Sequence, residues 1–260
     1  MNPSRPTCFV QIALLMVLGG LLTACAHRPQ RQAPPAPGTQ QARHFQVSRQ
    51  VSNSLDYQVF LPAGYRAGSG KKWPLIVFLH GAGERGTNID KVTVHGPPKI
   101  VKSRPDFPFV VVSPQCPDHA FWNPDELDTL LDHILARYDT DAARVYLTGL
   151  SMGGNGSWIW STARPERFAA VAPICGWGDP VRVWIASGPR RNALSTLPVW
   201  AFHGAKDSVV PLRDSEAMVA AFARIGNKVK LTIYPDADHN SWTAAYDDPA
   251  LYDWFLSHSR

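Results

Sequence analysis

A chain of 260 residues that is 45% hydrophobic and 18% charged has enough apolar mass for a sizeable core. It reads as an ordinary globular protein, not a disordered or fibrous one. The formal charge is +5, yet no block of five or more like charges and no nucleic-acid motif occurs along the chain. The basic excess therefore reads as a mildly cationic surface, and nucleic acid is not an expected partner.

Taken in chain order, the first segment follows the grammar of a signal peptide. Arg5 supplies a short positive region, and residues 9–22 form an apolar run interrupted by Gln11 and the Gly19-Gly20 pair. The run is short for a membrane span and leads into small residues. Leu22-Thr23-Ala24-Cys25 then resembles the bacterial lipobox. The resemblance implies that residues 1–24 are cleaved as a lipoprotein signal and that Cys25 carries diacylglycerol and an acylated amine. Three such chains anchor firmly, at about 0.8 kcal/mol per buried methylene. Ala26, where an aspartate is absent, implies the periplasmic face of the outer membrane. Residues 26–43 contain four prolines, four glutamines, three arginines and no acid, so they cannot build a core. With Cys25 they read as a tether, residues 25–43, that extends at ~3.1 Å per residue to roughly 55 Å. Cys8 leaves with the signal, so Cys116 and Cys175 remain. Two buried free thiols are expected of them, although an oxidising compartment permits a bridge.

Residues 44–260 alternate between strand and helix patterns. Strands are predicted to begin at Phe45, Tyr57, Leu75, Phe109, Val145, Ala169, Val199 and Val229, and the middle ones are almost continuously apolar. Amphipathic helices are predicted over residues 125–138, 152–163, 212–225 and 248–258. The first two strands lack an intervening helix and should form an antiparallel edge hairpin. The rest implies a doubly wound, mostly parallel sheet with helices on both faces. Ligands bind such a sheet beyond the carboxyl ends of its strands.

The chemistry-bearing residues fall at those ends. Gly149-Leu150-Ser151-Met152-Gly153 follows one strand and opens a helix, the context of a nucleophile elbow. The amide of Met152 lies where a helix N-terminus favours a developing negative charge. His80-Gly81-Ala82-Gly83 ends the strand from Leu75 and offers a second oxyanion donor, Ala82 with Gly83 as the fallback; His80 reads as a structural pin. The same loop spells G-x-G-x-x-G from Gly81 to Gly86. A dinucleotide site needs a helix directly afterwards, and the β-branched residues and Pro97-Pro98 that follow argue against one. Asp207 and His239 sit in loops after two later strands. The order Ser, Asp, His is that of the α/β-hydrolase fold. Asp214 falls inside a helix, and Asp236 and Asp238 lie too close to His239 in the chain, so Asp207 is the favoured acid. Trp158 and Trp160 read as core, and Arg85, Lys99 and Arg182 as solvated charges.

Several strings together, among them L-H-G-A-G-E-R-G from Leu79, S-P-Q-C from Ser113, R-V-Y-L-T-G-L-S-M-G-G from Arg144, P-I-C-G from Pro173, W-A-F-H-G-A-K-D from Trp200 and Y-P-D-A-D-H-N-S-W from Tyr234, resemble one bacterial family. It is the phospholipase/carboxylesterase-like, or predicted peptidase, group of α/β-hydrolases, similar to polyhydroxybutyrate-depolymerase-like and feruloyl esterases. The resemblance spans residues 45–256. It implies Ser151, Asp207 and His239 as a triad, Ala82 and Met152 as oxyanion donors, and neither metal nor cofactor. Trp177 departs from the pattern, which favours a small residue there. Trp122, Trp177 and Trp242 fall in loops near strand ends and offer an aromatic platform for a sugar or phenolic group, or simply pack those loops. The expected activity is hydrolysis of a small, carbohydrate-linked or phenolic carboxylic ester. A serine peptidase and a non-catalytic envelope lipoprotein are the alternatives.

Overall fold

The computed structural model describes residues 54–260. The signal peptide, Cys25, the tether, the strand from Phe45 and the hairpin it was to form lie outside the described residues.

The described residues hold a seven-stranded sheet in the order β1-β3-β2-β4-β5-β6-β7. Its strands are β1 (Tyr57–Phe60), β2 (Trp73–Leu79), β3 (Val110–Pro114), β4 (Thr140–Leu150), β5 (Ala170–Ile174), β6 (Trp200–Gly204) and β7 (Lys230–Tyr234). The edge strand β1 runs antiparallel to β3, with Tyr57 opposite Pro114, and all other pairings are parallel. Every residue of β2 and β3 is buried, which explains why those segments read as unbroken apolar runs: both faces are covered. Side-chain alternation still sorts them. Leu75, Val77 and Leu79 enter one core, and Ile76 and Phe78 enter the other.

Helices cover the two faces. On the first pack α2 (Pro124–Arg137), α3 (Met152–Ala163) and α6 (Leu212–Arg224), through Leu127, Leu131, Ile134, Trp158, Trp160, Met218 and Phe222. On the second pack α7 (Trp242–Asp247) and α8 (Pro249–Leu256), through Ala245, Tyr246, Leu251 and Phe255. The chain thus forms an α/β-hydrolase-type doubly wound sheet. Trp158 and Trp160 are core residues, at 0% and 1% exposure.

The structure corrects the sequence reading in two places. The stretch after Gly86 was read as non-helical, yet a 3-10 turn forms over Ile89–Thr93 and α1 over Gly96–Ile100. Pro97 and Pro98 fall in the first turn of α1, where a missing N–H costs nothing because those amides have no acceptor within the helix. Even so, α1 starts ten residues past Gly86, too far on to meet a phosphate held by the glycine loop. The second correction is α7, which begins at Trp242, a residue placed in a loop by sequence. Two further short helices, α4 (Pro180–Trp184) and α5 (Gly188–Thr196), fill the connection between β5 and β6.

The strand order changes direction between β2 and β4: the chain goes outward from β2 to β3, then returns across β2 to β4. At such a switch point the two connecting loops part and leave a crevice beyond the strand ends. The loops leaving β2 and β4 are those of His80 and Ser151.

Candidate active site

Ser151 occupies the sharp turn between β4 and α3 with φ 53° and ψ −116°. A non-glycine residue holds such a backbone at a cost on the order of 1–3 kcal/mol, and only where its surroundings enforce it. The flanking glycines enforce it here. A Cβ on Gly153 would stand 1.8 Å from the Leu79 carbonyl oxygen, and one on Gly149 would stand 2.4 Å from that of Gly153. The Ser151 amide donates to the Ile174 carbonyl at 2.9 Å, and its carbonyl accepts from Asn155. The hydroxyl takes no part in these bonds and is left for another partner.

The structure brings the three distant loops together. Ser151 Oγ lies 2.9 Å from His239 Nε2, and His239 Nδ1 lies 2.7 Å from Asp207 Oδ2. The carboxylate is fully buried, while the imidazole side chain retains 20% exposure. Asp207 Oδ1 accepts from the amides of Val209 and Val210, both at 2.9 Å. Its geometry is therefore fixed on both oxygens. Asp214, Asp236 and Asp238 make no such contact with His239; Asp236 pairs with Lys206 instead.

His203, whose role sequence reasoning missed, supports this carboxylate from β6. It is fully buried, its Nε2 donates to the Val210 carbonyl at 2.8 Å, and that same nitrogen lies 3.3 Å from Asp207 Oδ2. Its Nδ1 meets the Ser215 hydroxyl at 2.8 Å. A buried polar side chain so close to Asp207 in sequence was the available signal.

On the other side of the crevice, His80 is also buried, with Nδ1–H donating to the Gly81 carbonyl and Nε2 accepting from the Cys116 amide. Burial drives its pKa down to about 4, against a smaller upward pull from the Gly81 carbonyl, and nearby Arg85 lowers it further. It stays neutral and pins the loop. Ala82 opens a 3-10 turn and Met152 opens α3. First-position amides have no acceptor within their own turn, so both N–H groups are free to bind something else.

The three tryptophans part company. Trp122 is 7% exposed and donates its indole N–H to the His80 carbonyl at 3.2 Å. It is packed into the loop, the second of the two readings its position allowed. Trp177 and Trp242 remain partly exposed. The Trp242 ring stands edge-on to His239 at 5.4 Å and touches His95 on its other side at 5.5 Å. Phe121, 60% exposed beside Trp122, was not singled out in the sequence. Arg182 pairs with Asp179, and Arg85, read as a solvated charge, is instead bound to two backbone carbonyls.

Cys116 and Cys175 are both buried and unbridged. Cys175, at φ 41°, lies under the site, with its sulfur within 4.8 Å of ligand atoms of Asp207 and His239. Among the described residues this trio has the atoms for a metal, yet two of them already share a proton. Burial, only partly offset by hydrogen bonding from Ser151 and Ser241, pushes the thiol up to about 12, so it is a poor ligand and a poor nucleophile.

A mostly parallel sheet with a serine, a histidine and a buried aspartate joined in series beyond its strand ends is the arrangement of the α/β-hydrolase fold. Residues 119–251, just over half of the chain, match the dienelactone hydrolase family, and the chain belongs to that family. A carboxymethylenebutenolidase-like protein of Salmonella typhimurium is 30% identical over 116 residues, 42% of each chain. The match thus spans less than half the length of that relative. Among solved structures, a thermostable esterase is 33% identical with a TM-score of 0.65, covering 79% of this chain and 60% of the other. A ferulic acid esterase is similar in fold alone, at 21% identity and a TM-score of 0.57, covering 76% and 89%. The esterase-type resemblance carried by the sequence motifs agrees with these findings.

Proposed function

We propose that the chain is a serine carboxylic-ester hydrolase working through an acyl-enzyme. The observation that carries this reading is the unbroken series Ser151 Oγ, His239, Asp207, assembled from three separate strand-end loops around a strained serine. In the proposed cycle His239 Nε2 takes the Ser151 proton as Oγ attacks the ester carbonyl, while Asp207 holds the tautomer and stabilises the imidazolium. The Ala82 and Met152 amides receive the oxyanion. Collapse expels the alcohol, which leaves with the proton from Nε2. A water then gives its proton to Nε2 and attacks the acyl carbon, and the acid departs as Ser151 regains its hydrogen. No step calls on a metal or cofactor.

For substrate we propose a small, carbohydrate-linked or phenolic ester. Partly exposed aromatic rings at Trp177, Trp242 and Phe121 border the crevice loops and suit a planar or sugar group. The similarity to an esterase at 33% identity supports the ester over the amide. The test is a panel of acetyl, butyryl, long-chain, feruloyl and peptidyl substrates, scored against Ser151→Ala. Turnover of the esters that disappears in the variant supports the reading. Cleavage of the peptidyl substrates alone makes the protein a serine peptidase, and no turnover of any makes it a binding lipoprotein.

We also propose that the protein is held at the cell envelope by lipid on Cys25, with membrane as its second partner. Cys25→Ser should move it from the membrane to the soluble fraction; continued sedimentation with membranes would contradict the anchor.

A further inference from the structure

An oxyanion site needs free N–H groups, and a loop that offers N–H groups to the crevice must send its carbonyls elsewhere. The loop after β2 does so for the carbonyls of His80, Gly81, Ala82, Glu84 and Asn88. The His80 oxygen accepts from Trp122 Nε1 at 3.2 Å, and the Gly81 oxygen from His80 Nδ1 at 2.6 Å. The Ala82 oxygen accepts from Arg85 Nε at 3.1 Å. The Glu84 and Asn88 oxygens both accept from the side-chain amide of Gln115, at 2.8 and 2.7 Å. Arg85 reaches on to the Ala120 carbonyl at 3.2 Å and ties the loop to the segment after β3. Ala82 and Gly83 themselves stay exposed.

We propose that Arg85 and Gln115 are positioning residues that hold the oxyanion site assembled before substrate arrives. The inference rests on the serine-hydrolase reading above and deepens it. Arg85 acts on the peptide that follows Ala82. By holding that carbonyl it stops the Ala82–Gly83 peptide from turning over and presenting an oxygen to the developing negative charge. Gln115, 3% exposed, does the same at the far end of the loop with one amide group spanning two carbonyls. Neither side chain touches substrate. Each acts by removing the rearrangement a loose loop would undergo during reaction, and so its effect falls on the transition state rather than on substrate binding.

The experiment measures nitrophenyl acetate hydrolysis and inhibition by phenylboronic acid, whose tetrahedral adduct on the serine places a charged oxygen where the oxyanion forms. Arg85→Met should lower kcat about 10- to 100-fold with KM within about twofold of wild type, and weaken phenylboronic acid by the same factor as kcat. Arg85→Lys should keep most of the defect, because one ammonium does not span the Ala82 and Ala120 carbonyls as the guanidinium does. Gln115→Met should behave as Arg85→Met does. Unchanged kcat and boronate affinity in Arg85→Met overturns the proposal, as does a rise in KM alone, which would make Arg85 a substrate-binding group. If Arg85→Met fails to fold, Arg85→Lys decides, and kcat within about twofold of wild type there overturns it. Turnover retained by Ser151→Ala would instead place the fault with the nucleophile, leaving the two failures distinct.

Discussion

Two histidines belong to opposite walls of the site, and they are built for opposite ends. His80 is 1% exposed, and its partners are backbone groups: the Gly81 carbonyl and the Cys116 amide. His239 keeps 20% side-chain exposure, and its partners are side chains, a carboxylate and a hydroxyl. Backbone partners at fixed positions make a ring a strut. A carboxylate on one nitrogen and a hydroxyl on the other suit it to carry a proton, because the carboxylate welcomes the charge that the hydroxyl's proton would bring. The His80 wall therefore shapes the site, and in the proposed reaction the His239 wall moves the proton.

The contrast breaks most visibly at the proton carrier. Ser151→Ala should fold as wild type by circular dichroism and lose ester hydrolysis by about 10⁶-fold in kcat. Asp207→Asn comes next, at about 10⁴-fold, since the amide still accepts from Val209 and Val210 but no longer holds the His239 tautomer. Equal losses in KM from either substitution would contradict roles confined to the reaction itself.

The strut predicts a change in stability with pH. His80 has a folded pKa of about 4 against the usual 6.5, so as pH falls the unfolded chain takes up the proton first. Stability should decline through the window from about 6.5 to 4 and level off below it, by up to about 3 kcal/mol from this ring. Urea unfolding at pH 7 and pH 4.5 checks this, with His80→Gln as control. The variant should be weaker at pH 7 but flatter across the window, and a wild-type curve no steeper than the variant's would count against a buried neutral ring. The smallest effect on kcat belongs to Trp242, whose edge contact braces His239. Trp242→Leu should cost roughly 2- to 10-fold in kcat.

Much of the His239 wall was legible in the sequence. Ser151, Asp207 and His239 each follow a strand of one parallel array, and the carboxyl ends of parallel strands share one rim. The supporting contacts were not legible, because they join side chains to backbone groups across long separations. Gln115 reaches Glu84 and Asn88, and Trp122 reaches His80, over intervals that no local pattern encodes. For Trp122 the sequence leaves platform and packing open for that reason: its position near a strand end is visible, but the carbonyl that draws it inward is not. Pro97-Pro98 misled differently, since a proline pair breaks a helix in its middle but is tolerated in its first turn.

In the proposed reaction Ser151 is the residue that becomes acylated. Reaction with a fluorophosphonate, followed by intact mass measurement and peptide mapping, tests it most directly. The buried thiols make poor competitors, being held up at about 11 for Cys116 and about 12 for Cys175. One phosphonyl adduct per chain is expected, on the peptide carrying Ser151, with ester hydrolysis lost in proportion to labelling. An adduct on another residue, or full activity in a chain labelled at Ser151, would contradict it.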